Sequence, residues 1–501
     1  FVFLRLLVSI LFMIMTFVAA TNAVASQKSV ESLGNQKQVD PQPYMSISAT
    51  NIIRVSVASD GSQANDDSYY GVSISADGRY VAFESRASNL VADDSNGFSD
   101  IFVHDLQTGE TARVSIASNG TQANDSSVYP SISADGRYVA FRSGANNLVA
   151  GDTNGYTDIF VHDRQSGETS RVSVASGGVQ ANSGSISSSI SADGRYVAFI
   201  SYASNLVSGD TNLCEDVFIH DRQRGETIRV SVSTGGAQSH DEIHSASVSA
   251  DGRYVVFDAY ATTLVAGDTN GKMDIFLHDT HTGETTRISV SSTGDQANNH
   301  SRFPSVSADG RYVAFPSQAS NLVVGDTDGS TDVFVHDRQS GETTVIAPEL
   351  NSNSPSISAD GRYVAFIVFT NYKLDVFIHD RQTGVTVHVP NSPPGFQTNG
   401  HSRNPVISEN GRRVAFFSEA SNLVVGDTNS FDDVFVYEGF GKLGPTDAET
   451  GVSLSPMLSW PASISATGYE YCYSSAPGPC TKWNSVGTDT SVTLSGLAPG
   501  Y

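Results

Sequence analysis

A short acidic loop motif is the feature of this sequence whose residue types and spacing come closest to a cation-binding site. Its first copy, Asp94–Asp100, reads Asp-Ser-Asn-Gly-Phe-Ser-Asp and places two carboxylates beside one amide. Such side-chain oxygens are ligands that Ca²⁺ prefers, and the glycine permits a sharp bend. The motif predicts Ca²⁺ as an optional ligand, with no cofactor required by the protein. The predicted ligands are Asp94, Asn96, Asp100, Asp152, Asn154, Asp158, Asp210, Asn212, Asp216, Asp268, Asn270, Asp274, Asp326, Asp328, Asp332, Asp427, Asn429 and Asp433.

The same loops have a purely structural alternative. The motif is similar to part of an EF-hand-type calcium loop, but it lacks the spacing and the terminal bidentate glutamate of that loop. Because Ca²⁺ takes about six to eight oxygen ligands, backbone carbonyls or water would have to complete each site. In the alternative, each loop is an Asx-stabilised turn whose last aspartate accepts hydrogen bonds from backbone N–H groups at the start of the next strand. The sequence leaves both interpretations open.

Histidine–aspartate pairs are the second group of residues that could do chemistry, in this case acid–base catalysis. They recur at the end of equivalent segments, which favours a hydrogen-bonded brace for the following turn over catalysis. The sequence contains neither a Gly-x-Ser-x-Gly nucleophile elbow nor a phosphate-binding loop. We therefore predict that the protein is not an enzyme. The pairs are His104-Asp105, His162-Asp163, His220-Asp221, His278-Asp279, His336-Asp337 and His379-Asp380, with Tyr437-Glu438 in the seventh place.

Both groups of residues belong to a unit that is repeated seven times along the chain. The string Ser-Ala-Asp-Gly-Arg-Tyr-Val-Ala-Phe begins at Ser75 and returns every 50 to 58 residues, with Asn410 replacing aspartate in the last copy. A second string, Asp-Ile-Phe-Val-His-Asp, follows each copy and begins first at Asp100. Each unit is rich in β-branched and aromatic residues and is bounded by turn-forming pairs. This periodicity predicts an all-β repeat protein.

Each unit has the pattern of four antiparallel strands. In the first unit we place them at Val72–Ala76, Arg79–Ser85, Asp100–Asp105 and Ala112–Ala117. The Asp77-Gly78 pair supplies the positive φ values of a tight hairpin. The second strand is apolar on both faces, which is typical of a sheet packed between two neighbours. Radial stacking would bury both faces, so we predict a seven-bladed β-propeller.

The two ends of the repeat region complement each other. The last unit ends after its third strand, Asp433–Glu438, whereas Arg54–Ala58 has the pattern of a fourth strand and no blade of its own. Pairing this N-terminal strand with the last blade would give every blade four strands. We therefore predict a ring closed by the N-terminal strand rather than an open solenoid.

The repeated hairpin resembles the WD-repeat-like units of TolB-like β-propellers. Those units carry a Ser-Pro-Asp-Gly hairpin and a third strand of Ile-Tyr type. Here Ala76 and Ala134 stand where that family has proline, and the units are longer. The resemblance covers Ile53–Phe440 and implies, by analogy, a propeller that serves as a periplasmic binding partner.

The segments outside the repeats predict export and a second module. Residues 1–25 have the pattern of a signal peptide, with a retained membrane anchor as the alternative. We place a polar linker at 26–50, the propeller at 51–440 and a second linker at 441–450. Residues 451–501 resemble the first strands of a fibronectin type III domain, so we expect an incomplete β-sandwich after the propeller.

Charge and export narrow the range of partners. The formal net charge is −24, so the surface repels nucleic acid phosphates and anionic lipid headgroups. We therefore predict a monomer that is secreted, periplasmic or at the cell surface. We expect it to bind no nucleic acid and, once the signal peptide is cleaved, not to insert into the membrane.

Loop length distinguishes the two ends of the predicted propeller. The one-two and three-four turns are short and repetitive, whereas the two-three loops and the inter-blade connections, such as Asp66–Gly71, Asp125–Pro130 and Ser239–Ser245, are long and varied. Varied loops on a rigid scaffold are typical of binding surfaces. We therefore predict a binding scaffold whose protein, peptide or glycan ligand contacts this second face. The alternatives are a Ca²⁺-stabilised structural propeller of a cell-surface or adhesive protein, and a carbohydrate- or peptide-active enzyme that uses unrepeated loop residues.

Overall fold

The structure of the protein is a computed structural model. It describes residues 52–69, 71–240, 242–326, 329–348, 350–370, 373–389 and 398–439, together with four short strands beyond residue 456. The predicted signal peptide at 1–25 and the linkers at 26–50 and 441–450 lie outside the described residues. Within the described part, no helix is long and apolar enough to cross a membrane.

The described repeats form seven four-stranded antiparallel sheets, so the predicted seven-bladed β-propeller is confirmed. In chain order, the closing strand β1 (Ile52–Arg54) precedes blade one with β2 (Val72–Ile74), β3 (Tyr80–Ser85), β4 (Asp100–Asp105) and β5 (Thr111–Arg113), and blade two with β6 (Ser127–Ile132), β7 (Tyr138–Ser143), β8 (Asp158–Asp163) and β9 (Glu168–Arg171). Blade three has β10 (Ser185–Ile190), β11 (Tyr196–Ser201), β12 (Asp216–Asp221) and β13 (Glu226–Arg229), and blade four has β14 (Ile243–Val248), β15 (Tyr254–Ala259), β16 (Asp274–Asp279) and β17 (Glu284–Arg287). Blade five has β18 (Ser305–Val306), β19 (Tyr312–Ser317), β20 (Asp332–Asp337) and β21 (Glu342–Ile346), blade six has β22 (Ser352–Ile357), β23 (Tyr363–Thr370), β24 (Lys373–Asp380) and β25 (Val385–His388), and blade seven has β26 (Ser402–Ile407), β27 (Arg413–Ser418) and β28 (Asp433–Glu438).

The turn between the first two strands of a blade differs in detail from the predicted hairpin. In blade one, Gly78 has φ 77°, but Asp77 is not in the left-handed region. The Asp77 carboxylate instead accepts hydrogen bonds from the Ser75 hydroxyl at 2.7 Å and the Arg79 backbone N–H at 2.9 Å. Because this side chain caps the turn, β2 ends at Ile74, two residues earlier than predicted.

The core lies between neighbouring blades. The second and third strands of each blade carry buried phenylalanines whose rings lie close together, and the Phe83 and Phe102 centroids are 5.9 Å apart in blade one. The other face of blade one, with Ala82 and Ile101, packs against Phe141 of blade two. Each sheet is therefore buried on both faces, which explains the apolar run in the second strand.

The ring is closed by the N-terminal strand, as predicted. β1 pairs antiparallel with β28, with Ile52 opposite Tyr437 and Arg54 opposite Phe435. The strand begins two residues before the predicted segment Arg54–Ala58 and ends four residues before its end, and the backbone N–H of Val55 still donates to Val434 at 2.8 Å. After Val55 the chain turns into the connection to blade one, which shortens the ladder.

The first strands of the blades are innermost and line a central channel. At the end of the channel with the short turns, one residue in each blade donates its backbone N–H to the next blade, at 2.9–3.3 Å. These hydrogen bonds form a closed circle that runs through Ala76, Ala134, Ala192, Ala250, Ala308, Ala359, Glu409 and Asn410, and back to Ala76. The long loops lie at the opposite end.

Four further strands follow the propeller: β29 (Met457–Ser459), β30 (Tyr469–Tyr471), β31 (Asn484–Gly487) and β32 (Ser491–Thr493). β29 pairs with β32 and β30 pairs with β31, both antiparallel. All four strands lie within residues 451–501, the range that resembles the first strands of a fibronectin type III domain. The assignment of that domain stays a prediction.

Candidate functional site

An arginine lies between the two carboxylates of the first acidic loop. Nη1 of Arg113, on the fourth strand of blade one, is 3.0 Å from Asp94 Oδ1 and 3.4 Å from Asp100 Oδ2. The amide of Asn96 donates to Asp100 at 2.8 Å, and the Ser115 hydroxyl donates to its other oxygen. Burial raises the pKa of both carboxyls, and Arg113 opposes that shift. In this loop the cation beside the carboxylates belongs to the protein itself.

Four other copies have a similar arrangement, although in blade four the arginine lies within ion-pair distance of the first aspartate only. The distance from the arginine Nη1 to the nearer oxygen of the first aspartate is 3.0–3.6 Å in each of them. The groups are Arg171 with Asp152, Asn154 and Asp158; Arg229 with Asp210, Asn212 and Asp216; Arg287 with Asp268, Asn270 and Asp274; and Arg54 with Asp427, Asn429 and Asp433. Arg54 comes from the closing strand, so the loop of blade seven also links the two ends of the propeller.

The fifth blade departs from this pattern. Val345 occupies the register position of Arg113, because each lies opposite the second residue after the first aspartate of the third strand. Of the predicted ligands in this loop, Asp326 and Asp332 are described and Asp328 lies outside the described residues. No group of three or more His, Cys, Asp or Glu side chains within the described ranges is arranged to hold a metal ion. The Ca²⁺ assignment stays a prediction.

The histidine–aspartate pairs brace the turns, as predicted. The Asp105 carboxylate forms a bidentate pair with Arg79 at 2.8 and 2.6 Å and accepts the backbone N–H of Gln107 at 2.9 Å. Nδ1 of His104 is 2.8 Å from the Thr111 hydroxyl. Burial lowers the pKa of His104, so this side chain is neutral at physiological pH.

Unrepeated side chains gather where the long loops meet the channel. We call this group the channel mouth, and it comprises Tyr69, Glu84, Arg86, Tyr129 and Arg142 on blades one and two, and Asp258, Tyr260, His300, Arg302 and Phe303 on blades four and five. The predicted binding face includes it, because Tyr69 and Tyr129 lie in two of the loops selected from the sequence.

Two aromatic residues of the channel mouth have an unusual backbone conformation. Tyr129 and Phe303 have φ 56° and 48°, in the left-handed region that non-glycine residues rarely adopt. Each precedes a proline, within the first strand of blade two and just before the first strand of blade five, and the two residues are 41% and 46% exposed. Ser354 and Asn404 share this left-handed position before a proline in blades six and seven, so what sets blades two and five apart is the exposed aromatic ring that each places there.

A buried glutamate holds Tyr129 in place. Glu84, on β3 of blade one, is only 3% exposed and accepts a hydrogen bond from the Tyr129 backbone N–H. Burial raises its pKa from the ordinary 4.5 to about 7, although Ser99, Tyr129, Arg142 and Arg86 each lower it. The Arg142 guanidinium lies 5.1 Å from the Tyr129 ring centre. The ring is therefore fixed from both its backbone and its face.

Glu84 should make the propeller less stable as the pH rises. Its pKa is about 7 in the folded chain, so between pH 4.5 and 7 the folded state binds more protons than the unfolded state. Stability from this group is full below pH 4.5 and falls by about 3 kcal/mol up to pH 7. We expect the free energy of unfolding of Glu84→Gln, measured with urea, to fall less between pH 4.5 and pH 7 than that of the unchanged protein. Glu84→Ile introduces the residue found at this position in blade three, Ile200, and should show the same weaker pH dependence as Glu84→Gln. If the stability of both variants depends on pH as that of the unchanged protein does, the role of this carboxyl is refuted.

Asp258 holds Phe303 in the same way on the other side of the channel. This buried carboxylate accepts the Phe303 backbone N–H at 2.9 Å and the backbone N–H groups of His244 and Ser245, both at 2.9 Å. Asp258 and Glu84 occupy the same register position in their blades. Two blades have therefore placed an acid at this position and an aromatic residue in the next blade.

A small cleft extends from Phe303 towards blade six. Its volume is about 160 Å³, and its lining includes His300, Arg302, Phe303 and Asn353. The His300 and Tyr260 rings meet edge to face, 5.5 Å apart. The cleft combines aromatic, cationic and amide groups in one small space.

Sequence reasoning selected the face but not these residues. The signal that could have identified these residues is their departure from the residue types found at the same positions in other repeats. Glu84 and Asp258 interrupt a strand position that is Ile200 in blade three. Tyr129 and Phe303 place an aromatic ring at a position before proline that is Ser354 in blade six and Asn404 in blade seven.

The sequence matches no protein-family model and no curated protein. Several solved structures are similar in fold. TolB from Acinetobacter baumannii has 16% identity and a TM-score of 0.38, and the match covers 62% of each chain, less than two thirds of that TolB. An oligogalacturonate lyase from Vibrio parahaemolyticus has 11% identity and a TM-score of 0.49, over 77% of this chain and 93% of that one. The β-propeller domain of the Trilobed protease from Pyrococcus furiosus has 12% identity and a TM-score of 0.47, over 76% of this chain and all of that one.

These likenesses concern the fold alone. TolB proteins are among the solved structures that resemble this chain, in agreement with the resemblance drawn from the repeated hairpin.

Proposed function

We propose that this protein is an exported, monomeric and non-enzymatic scaffold that binds a peptide or a glycan at the channel mouth. The observation that carries the proposal is the pair of exposed, left-handed aromatic residues, Tyr129 and Phe303, each held by a buried carboxylate. Aromatic and arginine side chains supply most of the binding energy at protein recognition sites. Export is proposed from the sequence pattern of residues 1–25.

Rigidity before binding supports this role. The backbone hydrogen bonds from Tyr129 to Glu84 and from Phe303 to Asp258 set both rings without a ligand. A ligand then loses less free energy to ordering the site. The left-handed conformations cost about 1–3 kcal/mol each, which the rest of the propeller must offset.

The same contacts support a non-enzymatic role. A catalytic acid or base must reach the substrate, directly or through one water molecule. Glu84 and Asp258 are buried and bond to backbone N–H groups of the scaffold. We assign both carboxylates to positioning the neighbouring loop.

Peptide and glycan arrays, probed with the full chain, would test the proposal. For a ligand captured on the array, we expect Tyr129→Ala and Phe303→Ala each to lower the affinity at least about tenfold in calorimetric titrations. The unfolding temperature of each variant should be recorded alongside, because loss of binding is informative only for a folded protein.

Val179→Ala is the matched control, since Val179 is exposed on the connection between blades two and three and lies outside the channel mouth. Its affinity should be unchanged. Equal affinity of all three variants would overturn the proposed site. Cleavage of the captured ligand, followed by chromatography of the products, would overturn the non-enzymatic role.

A further inference from the structure

Six of the seven repeats carry a tyrosine directly after the Asp-Gly-Arg turn, and in four blades two arginines stack on it. In blade one, Arg79 lies 4.8 Å from the Tyr80 ring centre. Arg164, from the three-four turn of blade two, lies 4.5 Å from the same centre. Nη1 of Arg164 also donates to the backbone carbonyl of Gly136 at 2.6 Å. The ring and the carbonyl together form a receptor for a guanidinium group.

Three more copies of this receptor are filled in the same way. The arginine of the following blade lies 4.4–4.5 Å from the ring centre and donates to a glycine carbonyl at 2.6–2.7 Å. These groups are Arg222 on Tyr138 with Gly194, Arg338 on Tyr254 with Gly310, and Arg381 on Tyr312 with Gly361. The chain therefore shows four times how this receptor binds a guanidinium.

Neighbouring carboxylates offset the cost of burying these arginines. Burial lowers the pKa of Arg222, and the Tyr138 hydroxyl, Asp163 and Glu168 raise it. The equivalent groups act on Arg164, with Tyr80, Asp105 and Glu110. Because arginine stays charged in proteins, the receptor is complementary to a cation.

The receptor between blades three and four lacks its arginine. Thr280 stands at this position, with its backbone N–H bonded to Arg253 as that of Arg164 is to Arg137. The Thr280 hydroxyl reaches the Gly252 carbonyl only at 3.4 Å. Among the described residues, the only guanidinium stacked on the Tyr196 ring is that of Arg195.

A cleft of about 450 Å³ lies where the second guanidinium would be. Its lining includes Tyr196, Asp221, Glu226 and Gly252, which are the equivalents of the ring, the two carboxylates and the carbonyl of the filled receptors. The side chain of Ile228 is exposed at the same cleft and offers an apolar surface to an alkyl chain. Arg224 also lines the cleft and lies 3.8 Å from Asp221 and 3.9 Å from Glu226. The Tyr196 ring and the Gly252 carbonyl are therefore the acceptors that no second guanidinium of the described residues contacts.

We propose that this cleft binds a guanidinium group supplied from outside the chain, stacked on Tyr196 and hydrogen-bonded to the Gly252 carbonyl. The donor is an arginine side chain of a peptide or protein, or free arginine. The site lies at the end of the propeller with the short turns, away from the channel mouth, and it does not depend on the function proposed for that mouth.

Titration of the full chain with acetyl-Ala-Arg-Ala-amide, followed by NMR of ring-labelled tyrosine, tests the site. We expect this peptide to bind at least about tenfold more tightly than the citrulline peptide, which has the same shape without the charge. Free arginine is the second arm. If free arginine and the arginine peptide bind equally well, the cleft recognises the guanidinium group alone. If free arginine binds more weakly, the donor is an arginine side chain within a peptide or protein.

Two variants use the filled receptors as templates. Thr280→Arg supplies the missing side chain and should lower the peptide affinity at least about tenfold. The variant should stay folded, because four equivalent receptors accommodate the same arginine. Arg164→Thr should open an equivalent site on Tyr80 and raise the number of peptides bound by one. The proposal would be overturned if the arginine and citrulline peptides bound equally well and Thr280→Arg left the peptide affinity unchanged.

Discussion

Replacing Val55 by aspartate is expected to open the propeller. Val55 is fully buried beside the closing strand, between blades one and seven, and its backbone N–H donates to Val434 at 2.8 Å. The substitution removes apolar burial and places a carboxylate without a partner in the core, which together cost at least about 4 kcal/mol. Because a domain is stable by only about 5–15 kcal/mol, urea unfolding should begin at a much lower concentration.

Ile53→Asp is the matched control. Ile53 lies two residues earlier on the same closing strand, opposite Val436, but its side chain is 37% exposed. Its midpoint should shift far less than that of Val55→Asp. Equal and small shifts in both variants would mean that the N-terminal strand does not hold the ring closed.

The second large effect is expected at the arginine of an acidic loop. Arg171→Val leaves Asp152 and the fully buried Asp158 without the guanidinium that lies 3.0 and 3.4 Å from them. Removing one partner of a buried ion pair typically costs about 3–5 kcal/mol. We expect a loss of that size in the free energy of unfolding. Blade five shows that the fold accepts valine at this register position, since Val345 occupies it.

Adding Asp152→Asn and Asp158→Asn to Arg171→Val separates charge from packing. If uncompensated charge causes the loss, the triple variant should regain much of it. A triple variant as unstable as the single one would assign the effect to the lost arginine stem instead.

Calcium can be tested on the same loops. A ligand bound only by the folded state raises its unfolding temperature, so thermal unfolding with Ca²⁺ and with a chelator measures metal binding directly. Five loops already hold a guanidinium, so we expect any Ca²⁺-dependent rise to come from blade five and to be lost in Val345→Arg. A rise that persists in Val345→Arg would assign metal to the arginine-containing loops.

The fold was predictable because it depends on information that the chain repeats. The apolar run at Tyr80–Phe83 and the Asp-Gly turn recur along the chain, and the spare strand near Arg54 supplies the strand that the last blade lacks. The errors were of one to four residues at strand ends, and the largest were at the fourth strand of blade one, which ends at Arg113 instead of Ala117, and at the closing strand, which ends at Arg54 instead of Ala58. They arose where a side chain, such as the Asp77 carboxylate, satisfies backbone groups that a longer ladder would have satisfied.

The candidate sites were less predictable, for two physical reasons. Arg113 lies 13 residues after Asp100, and only the register of β4 and β5 brings the two side chains together. A local motif search therefore finds the carboxylates and misses the cation. The channel mouth was missed for a second reason. Glu84 and Tyr129 belong to different blades and have no counterpart in most of the others, so no repeated motif marks them.

The circle of hydrogen bonds at the short-turn end of the channel fixes the positions of the blades without depending on which side chains stand there. It uses backbone atoms alone, so Glu409 stands among alanines without interrupting it. An engineer could therefore vary these positions independently while the spacing of their Cα atoms is kept. The propeller offers an axis around which several different groups can be displayed at fixed angular intervals.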